Sequence, residues 1–268
     1  MAHGAYFRLL YGDGTSFLLD RAGTRVWAAW PEPLTLEDAA TYLLGPVLAF
    51  ALRLRGYCGL HASAVRVRES AIALLGPPQA GKSTTAAALA KMGYAVLTDD
   101  VTILVDRGGS FLVVSGYPLL RLWEDSVHCL FGSADALPRL TPNWDKRYLD
   151  LTREEYRFEE RPLPLAAIYA LGDRTNEGAA LAVEPLSGSA ALMTLVTNTN
   201  VSYLLDSAMR ARELEVLGRV AATVPVRKVM PHTDPALLGR LCEVILSDFE
   251  GLRHSGEAVA AASQLRDV

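Results

Sequence analysis

The sequence predicts an α/β protein, a mixed β-sheet with a few flanking helices, built around a phosphate-binding loop. Three observations predict it. Residues Gly76-Pro77-Pro78-Gln79-Ala80-Gly81-Lys82-Ser83 fit G-x-x-x-x-G-K-[ST], the P-loop pattern. The apolar run Ala71 to Leu75 before the loop reads as a buried strand. Lys82 to Met92 after it reads as a helix, with Gly93 where a helix C-terminal glycine belongs. The remaining strand-like segments mostly follow one another across turns instead of alternating with helices, which favours a mixed sheet over a long doubly wound one.

Taken in order, Tyr6 to Leu10, Ser16 to Leu19 and Arg25 to Ala28 read as short strands broken by Gly12-Asp13-Gly14 and Ala22-Gly23. Thr35 to Leu54 reads as a helix with Thr35 as N-cap and Asp38 three residues on; Pro46 kinks or splits it. Leu60 to Val65 is a strand, and Arg68-Glu69-Ser70 turns into the strand before the loop. Ala95 to Thr98 is the strand after the P-loop helix. A right-handed crossover should return it beside Ala71–Leu75. Val101 to Val105 and Phe111 to Val114 form a hairpin, Leu122 to Phe131 a helix, and Thr141 to Lys146 a polar and aromatic loop over the site. Ala166 to Leu171, Ala180 to Val183 and Pro225 to Val229 read as strands. Ser189 to Val196, Tyr203 to Thr223 and Pro235 to Phe249 read as helices, and Gly251 onward as a frayed tail. The expected organisation is residues 1–55 packed on a core of 56–250, with a disordered tail 251–268.

A nucleoside triphosphate carries about four negative charges. Backbone N–H groups of Gly76, Pro78-side residues Gln79 and Ala80, and the first helical residues through Thr84 can surround them, aided by the helix dipole; the glycines let the chain approach. Lys82 is placed to reach the β- and γ-phosphates and Ser83 to bind Mg²⁺. With glycine near 7% of residues, the pattern arises by accident in roughly one chain of this length in a hundred. A glycine turn capping a helix leaves Lys82 and Ser83 unexplained. Asp99 and Asp100 end the next strand, 17 residues after Lys82. That places them at the carboxyl edge of the sheet, where open α/β sheets bind ligands. One can hold Mg²⁺ and the other accept a proton from an attacking hydroxyl. ATP and Mg²⁺ are therefore the expected cofactors.

Composition narrows the partners. The chain has 268 residues, 50% of them apolar, and a formal charge of −4. No basic block suggests nucleic acid; the arginines at 53, 55, 66 and 68 read as solvated surface pairs. The longest uncharged apolar run, Tyr42 to Leu52, is too short to cross a bilayer, and no signal peptide is seen. Cys58, Cys129 and Cys242 form neither a disulfide framework nor a zinc spacing. A cytoplasmic protein with no membrane partner is expected; a homo-oligomer is left open.

Leu60-His61-Ala62-Ser63-Ala64-Val65, the P-loop, the Asp99-Asp100 pair and Pro118-Leu119-Leu120-Arg121-Leu122-Trp123 occur in this order in homologues of the HPr serine kinase/phosphorylase, which the chain resembles over roughly residues 40 to 250. The resemblance implies a P-loop kinase core of the HPr kinase/phosphoenolpyruvate carboxykinase type. It looks closest to short relatives from bacterial peptide-natural-product pathways, which phosphorylate the C-terminal serine of a lasso-peptide precursor. The chain departs from true HPr kinases in lacking room for their N-terminal domain before His61, and in lacking the Glu-Ile-Arg-Gly type of signature after the acidic pair. By the resemblance His61 lies beside the phosphates, Asp99 is the base and Asp100 lies nearer the metal, though the two are open to exchange. Arg121 is a candidate clamp for phosphate or a peptide carboxylate. Lys146 and Arg147, beside Trp144, are candidate contacts to triphosphate or peptide. The competing readings are an HPr-type protein kinase, a small-molecule P-loop kinase and a non-catalytic nucleotide sensor. Small-molecule kinases typically carry Asp-x-Asp and a helical lid where this chain has an adjacent pair and a hairpin, and a pure binder needs no base.

Overall fold

The computed structural model describes residues 4–177 and 181–256. The N-terminal turns set up an antiparallel meander of β1 (Tyr6–Leu10), β2 (Ser16–Asp20) and β3 (Val26–Ala29). Thr35 caps α1 (Leu36–Tyr42) through a capping box in which the Asp38 carboxylate accepts the Thr35 N–H at 2.8 Å. The expected single helix is split. Pro46 cannot donate to the helical ladder, so a wide turn of Leu43–Val47, with Gly45 outside helical geometry, separates α1 from α2 (Leu48–Leu54). Phe17, Leu19, Val47 and Phe50 are buried between this layer and Val101 and Ile103. Thr35→Ala should cost about 1 kcal/mol, read as a lower urea midpoint at constant slope; an unchanged midpoint would show that the cap contributes nothing.

The second layer departs from expectation in two places. Leu60–Val65 is not one strand but β4 (Cys58–Leu60) and β5 (Ala62–Val67), broken at His61. β5 turns at Arg68 into β6 (Ser70–Leu75), its antiparallel partner, and the P-loop leads to α3 (Lys82–Lys91). β7 (Val96–Thr98) then pairs with β5, not with β6. The hairpin partner already fills that edge of β6, so the crossover steps over one strand. β7 still runs parallel to β6, and its carboxyl end still reaches the P-loop edge.

β8 (Thr102–Asp106) and β9 (Phe111–Val113) form the expected hairpin. Leu122 belongs to β10 (Leu119–Leu122), and the helix α4 starts only at Glu124 and ends at Phe131. The expected loop over the site is a hairpin, β11 (Arg139–Thr141) with β12 (Trp144–Asp150), and β12 also pairs with β10. The long β13 (Leu163–Leu171) runs parallel to β6. Along its other side, its start pairs with β9 and its end with β15, so the sheet curls. β14 (Val183–Leu186) lies later than expected; residue 180 is outside the described residues. Then come α5 (Gly188–Thr197), a short turn at Ser202–Leu204, α6 (Ser207–Thr223) capped by Asp206, β15 (Val226–Val229) and α7 (Leu238–His254). α7 passes through the expected frayed start at Gly251, and residues 257–268 lie outside the described ones.

The chain is thus a mixed α/β protein with a curled mixed sheet between helices. α3 and α7 bury one face with Ile72, Leu74, Ala87 and Phe249, and α5 and α6 the other with Ala73, Leu75, Leu195 and Leu217. Arg53, expected at the surface, is buried. Its guanidinium donates to Glu213 at 2.9 Å and to the Gly59 carbonyl at 2.7 Å, tying α2 to α6. Among the described residues no helix is long and apolar enough to cross a membrane.

Candidate active site

β6 is buried on both faces, so it delivers the P-loop from a rigid strand. Gly76 and Gly81 take φ of 150° and 100°, and Gln79 takes 67°, so the loop curls into a concavity, a backbone form that can present N–H groups to an anion. A Cβ on Gly76 would lie 2.8 Å from the Leu171 carbonyl oxygen, which explains the glycine. The Lys82 ammonium folds back and donates to the carbonyls of Gly76 at 2.8 Å and Pro77 at 3.0 Å. Burial, partly offset by Asp100 and Asp99, holds its pKa below the ordinary lysine value. Pro78, Gln79, Gly81, Lys82, Ser83 and Thr84 line one cleft of about 740 Å³. Ala80 faces the other way, into a smaller cavity. Thr84 and Ser126 share a hydroxyl hydrogen bond of 2.8 Å that ties α3 to α4.

The two aspartates are adjacent in sequence and opposite in environment. Asp99 is 4% exposed. Its Oδ1 accepts from Ser63 at 2.6 Å and from Ser83 at 2.9 Å, and its Oδ2 accepts the Arg121 backbone N–H at 3.3 Å. Burial and the charge of Asp100 push its pKa up to about 6. A carboxyl raised in the folded state adds stability that is present below the ordinary aspartate value and lost as pH rises through about 6. A cation held at Ser83 would favour the ionised form and oppose that loss.

Asp100 lines the cleft, with its side chain 21% exposed. It takes φ of 63°, and the Val101 N–H bonds back to the Asp99 carbonyl at 2.7 Å. Side-chain residues in that region carry strain and persist where neighbours hold them. Here His61 Nδ1, at 3.1 Å, and Asn200 Nδ2, at 2.9 Å, both donate to the Asp100 carbonyl. A carbonyl only accepts, so His61 carries its proton on Nδ1 and leaves Nε2 as an acceptor. Burial, with Lys82 next, holds the His61 pKa below its usual value. The His61 backbone N–H is satisfied by Asn198 instead of a strand neighbour, which is why the strand breaks there.

Arg121 and Lys146 both line the cleft. Arg121 sits on β10, largely buried. Its guanidinium donates to the Thr41 carbonyl at 3.1 Å, lies 3.9 Å from the Asp100 carboxylate, and has an unpartnered Nε. Lys146 rests 4.9 Å above the Trp123 ring at the rim. Arg147, next along β12, is not brought to the cleft. Strand alternation turns it inward, where it donates to Glu124 and Asp135 at 2.7 Å each. Ser63, Ser126, Asn200, Trp123, Asp145 and Arg174 also belong to the site or its lining, though the sequence reading did not single them out as site residues. Ser63 had a usable signal, lying two residues from His61 in the segment expected to be one strand.

The donors fit a metal–triphosphate complex held mainly by phosphate. Ser83, Asp99 and Asp100 supply oxygens suited to Mg²⁺, which keeps several waters and takes only one or two carboxylates. Among the described residues no group of three His, Cys, Asp or Glu side chains forms a complete metal cage. The lysine, now on loop carbonyls, has phosphate oxygens as its natural alternative partners.

No family model matches the chain, and no curated protein does. Among solved structures it is similar to the Hpr(Ser) kinase/phosphatase from Coxiella burnetii, at 14% sequence identity and a TM-score of 0.37 over 74% of this chain and 95% of that one.

Proposed function

We propose that the chain is a Mg²⁺-dependent phosphotransferase that moves the γ-phosphoryl group of ATP to a hydroxyl, with a serine at the C-terminus of a small peptide, such as a lasso-peptide precursor, as the acceptor. The observation that carries the phosphotransfer reading is the meeting of P-loop and acidic pair in one cleft, with Asp99 bonded to the P-loop serine and Asp100 left facing the open space. Bound Mg²⁺ would neutralise charge on the β- and γ-phosphates.

The remaining work falls to the chain's own residues. Lys82 leaves the Gly76 and Pro77 carbonyls for the phosphate oxygens. Asp99 accepts the hydrogen bond of the Ser83 hydroxyl, which leaves the serine lone pairs for the cation. Asp100 accepts the proton of the acceptor hydroxyl, its position set by the His61 and Asn200 bonds to its carbonyl. This reverses the order of roles implied by the resemblance. Arg121 and Lys146 would receive the peptide carboxylate, which without a cation would be repelled by the triphosphate.

The test is mass spectrometry with ATP and Mg²⁺. A peptide ending in serine should gain phosphate. The same peptide as a C-terminal amide should react poorly, and the gap should shrink in Lys146→Ala. Phosphorylation of HPr or of a small alcohol, with no peptide reacting, would overturn the acceptor assignment and keep the kinase one.

A further inference from the structure

A triphosphate on a P-loop has a direction. The loop and first helical turn hold the α- and β-phosphates, and the lysine reaches the β- and γ-phosphates. Here the γ end is marked by Lys82, Asp99 and Asp100. The nucleoside therefore leaves at the opposite end, past Thr84.

On that side lies the second cavity, about 120 Å³. It shares Gly81, Thr84, Asp125, Ser126 and Arg174 with the large cleft, and neither acid of the pair nor Lys82 lines it. Its walls are Pro231, Pro235, Leu237, Leu238 and Leu241, from the segment after β15 and the start of α7. Whole-ligand pockets run to about 300–1,000 Å³; a slot this small takes one ring system.

Polar groups sit at its edges. Asp125 stands in the first turn of α4 and Asp234 caps the turn before α7. His232 Nδ1 accepts the Asp234 N–H at 2.8 Å, so the neutral ring carries its proton on Nε2 as a donor. Apolar walls with two carboxylate acceptors, and with His232 and Arg174 as donors, match a purine, which has two apolar faces and an edge bearing both amine donors and acceptor atoms.

We infer that this slot holds the purine base of the nucleoside triphosphate, an inference that rests on the kinase reading above. The residues assigned to the base are thus on the loop after β15 and on α7, a part of the chain in which no P-loop motif residue lies.

Cys129 provides a reporter in the unaltered protein. It is exposed on the rim, 3.7 Å from the Pro235 carbonyl oxygen, while Cys58 and Cys242 are buried. Iodoacetamide labelling of the full chain, read by mass spectrometry, compares Mg²⁺ with ATP, with CTP and with tripolyphosphate. ATP should slow labelling of Cys129 by about tenfold and tripolyphosphate should leave it unchanged, while CTP should bind about tenfold more weakly than ATP, a difference of roughly 1.4 kcal/mol. Leu238→Trp, which fills the slot, should weaken ATP binding by a similar factor and leave tripolyphosphate affinity alone. If ATP binds but Cys129 labels at its free rate, the base lies elsewhere and the inference is overturned. Equal affinity for ATP and CTP overturns the purine assignment. If neither ATP nor tripolyphosphate binds, the P-loop reading itself falls, which is a different result from either.

Discussion

Lys82→Ala is expected to lower the affinity for Mg²⁺·ATP by about tenfold to a hundredfold or more, since hydrogen bonds to charged groups contribute about 1.5–3 kcal/mol. The ammonium is the only cationic side chain within the loop itself, and it already lies inside the concavity, on the Gly76 and Pro77 carbonyls. Binding a triphosphate exchanges those two carbonyl partners for phosphate oxygens of far higher charge density. The loop carbonyls freed by the mutation sit next to exposed Pro77 and Pro78, where water can replace the lysine. The ligand-free protein should therefore melt close to the wild type while binding fails. Titration calorimetry with Mg²⁺ and ATP measures the first part and thermal denaturation the second. Equal affinity in the two proteins would remove the loop from the site, whatever its sequence.

The loop was legible because its chemistry is contiguous. Eight neighbouring residues carry the cradle, the cation and the hydroxyl, and the flanking periodicities supply strand and helix. The Thr35–Asp38 cap was legible for the same reason, being a bond across three residues. What was not legible depends on distance or on direction. Asn200 and Arg174 reach the site from parts of the chain far from the motif, and no local pattern marks them. Arg147 and Lys146 are neighbours of like charge; only the register of β12 against β10 decides that one faces the cleft and that the other is buried against the carboxylates of Glu124 and Asp135. β7 could not be placed beyond β5 without knowing that the β5–β6 hairpin had taken the near edge. The break at His61 was hidden in an apolar stretch that reads as one strand. It becomes visible only when Asn198, brought from the end of α5, accepts the histidine N–H.

The division of labour between Asp99 and Asp100 is the sharpest case, and it yields the second large expected effect. Adjacent carboxylates look interchangeable in a sequence. The turn with φ of 63° at Asp100 separates them, sending Asp99 inward to Ser63 and Ser83 and Asp100 into the cleft. Asp100→Asn should therefore lower the rate of phosphoryl transfer by about 10²–10⁴, the usual range for loss of a general base, with ATP affinity little changed. Asparagine also tolerates a left-handed backbone well, so the turn should survive the change. Asp99→Asn should act differently. It keeps an acceptor for Ser63 and Ser83 but removes the charge beside the cation, so it should raise the Mg²⁺ concentration needed for binding before it affects turnover. Single-turnover rates at saturating Mg²⁺·ATP, set beside Mg²⁺ titrations of binding, separate the two. If Asp99→Asn loses turnover at saturating metal and Asp100→Asn loses metal affinity instead, the roles are exchanged. If both variants retain wild-type turnover, neither acid is the base and the roles assigned to the pair fall; if the wild type binds Mg²⁺·ATP but transfers phosphate to no acceptor, the phosphotransferase reading gives way to that of a nucleotide sensor.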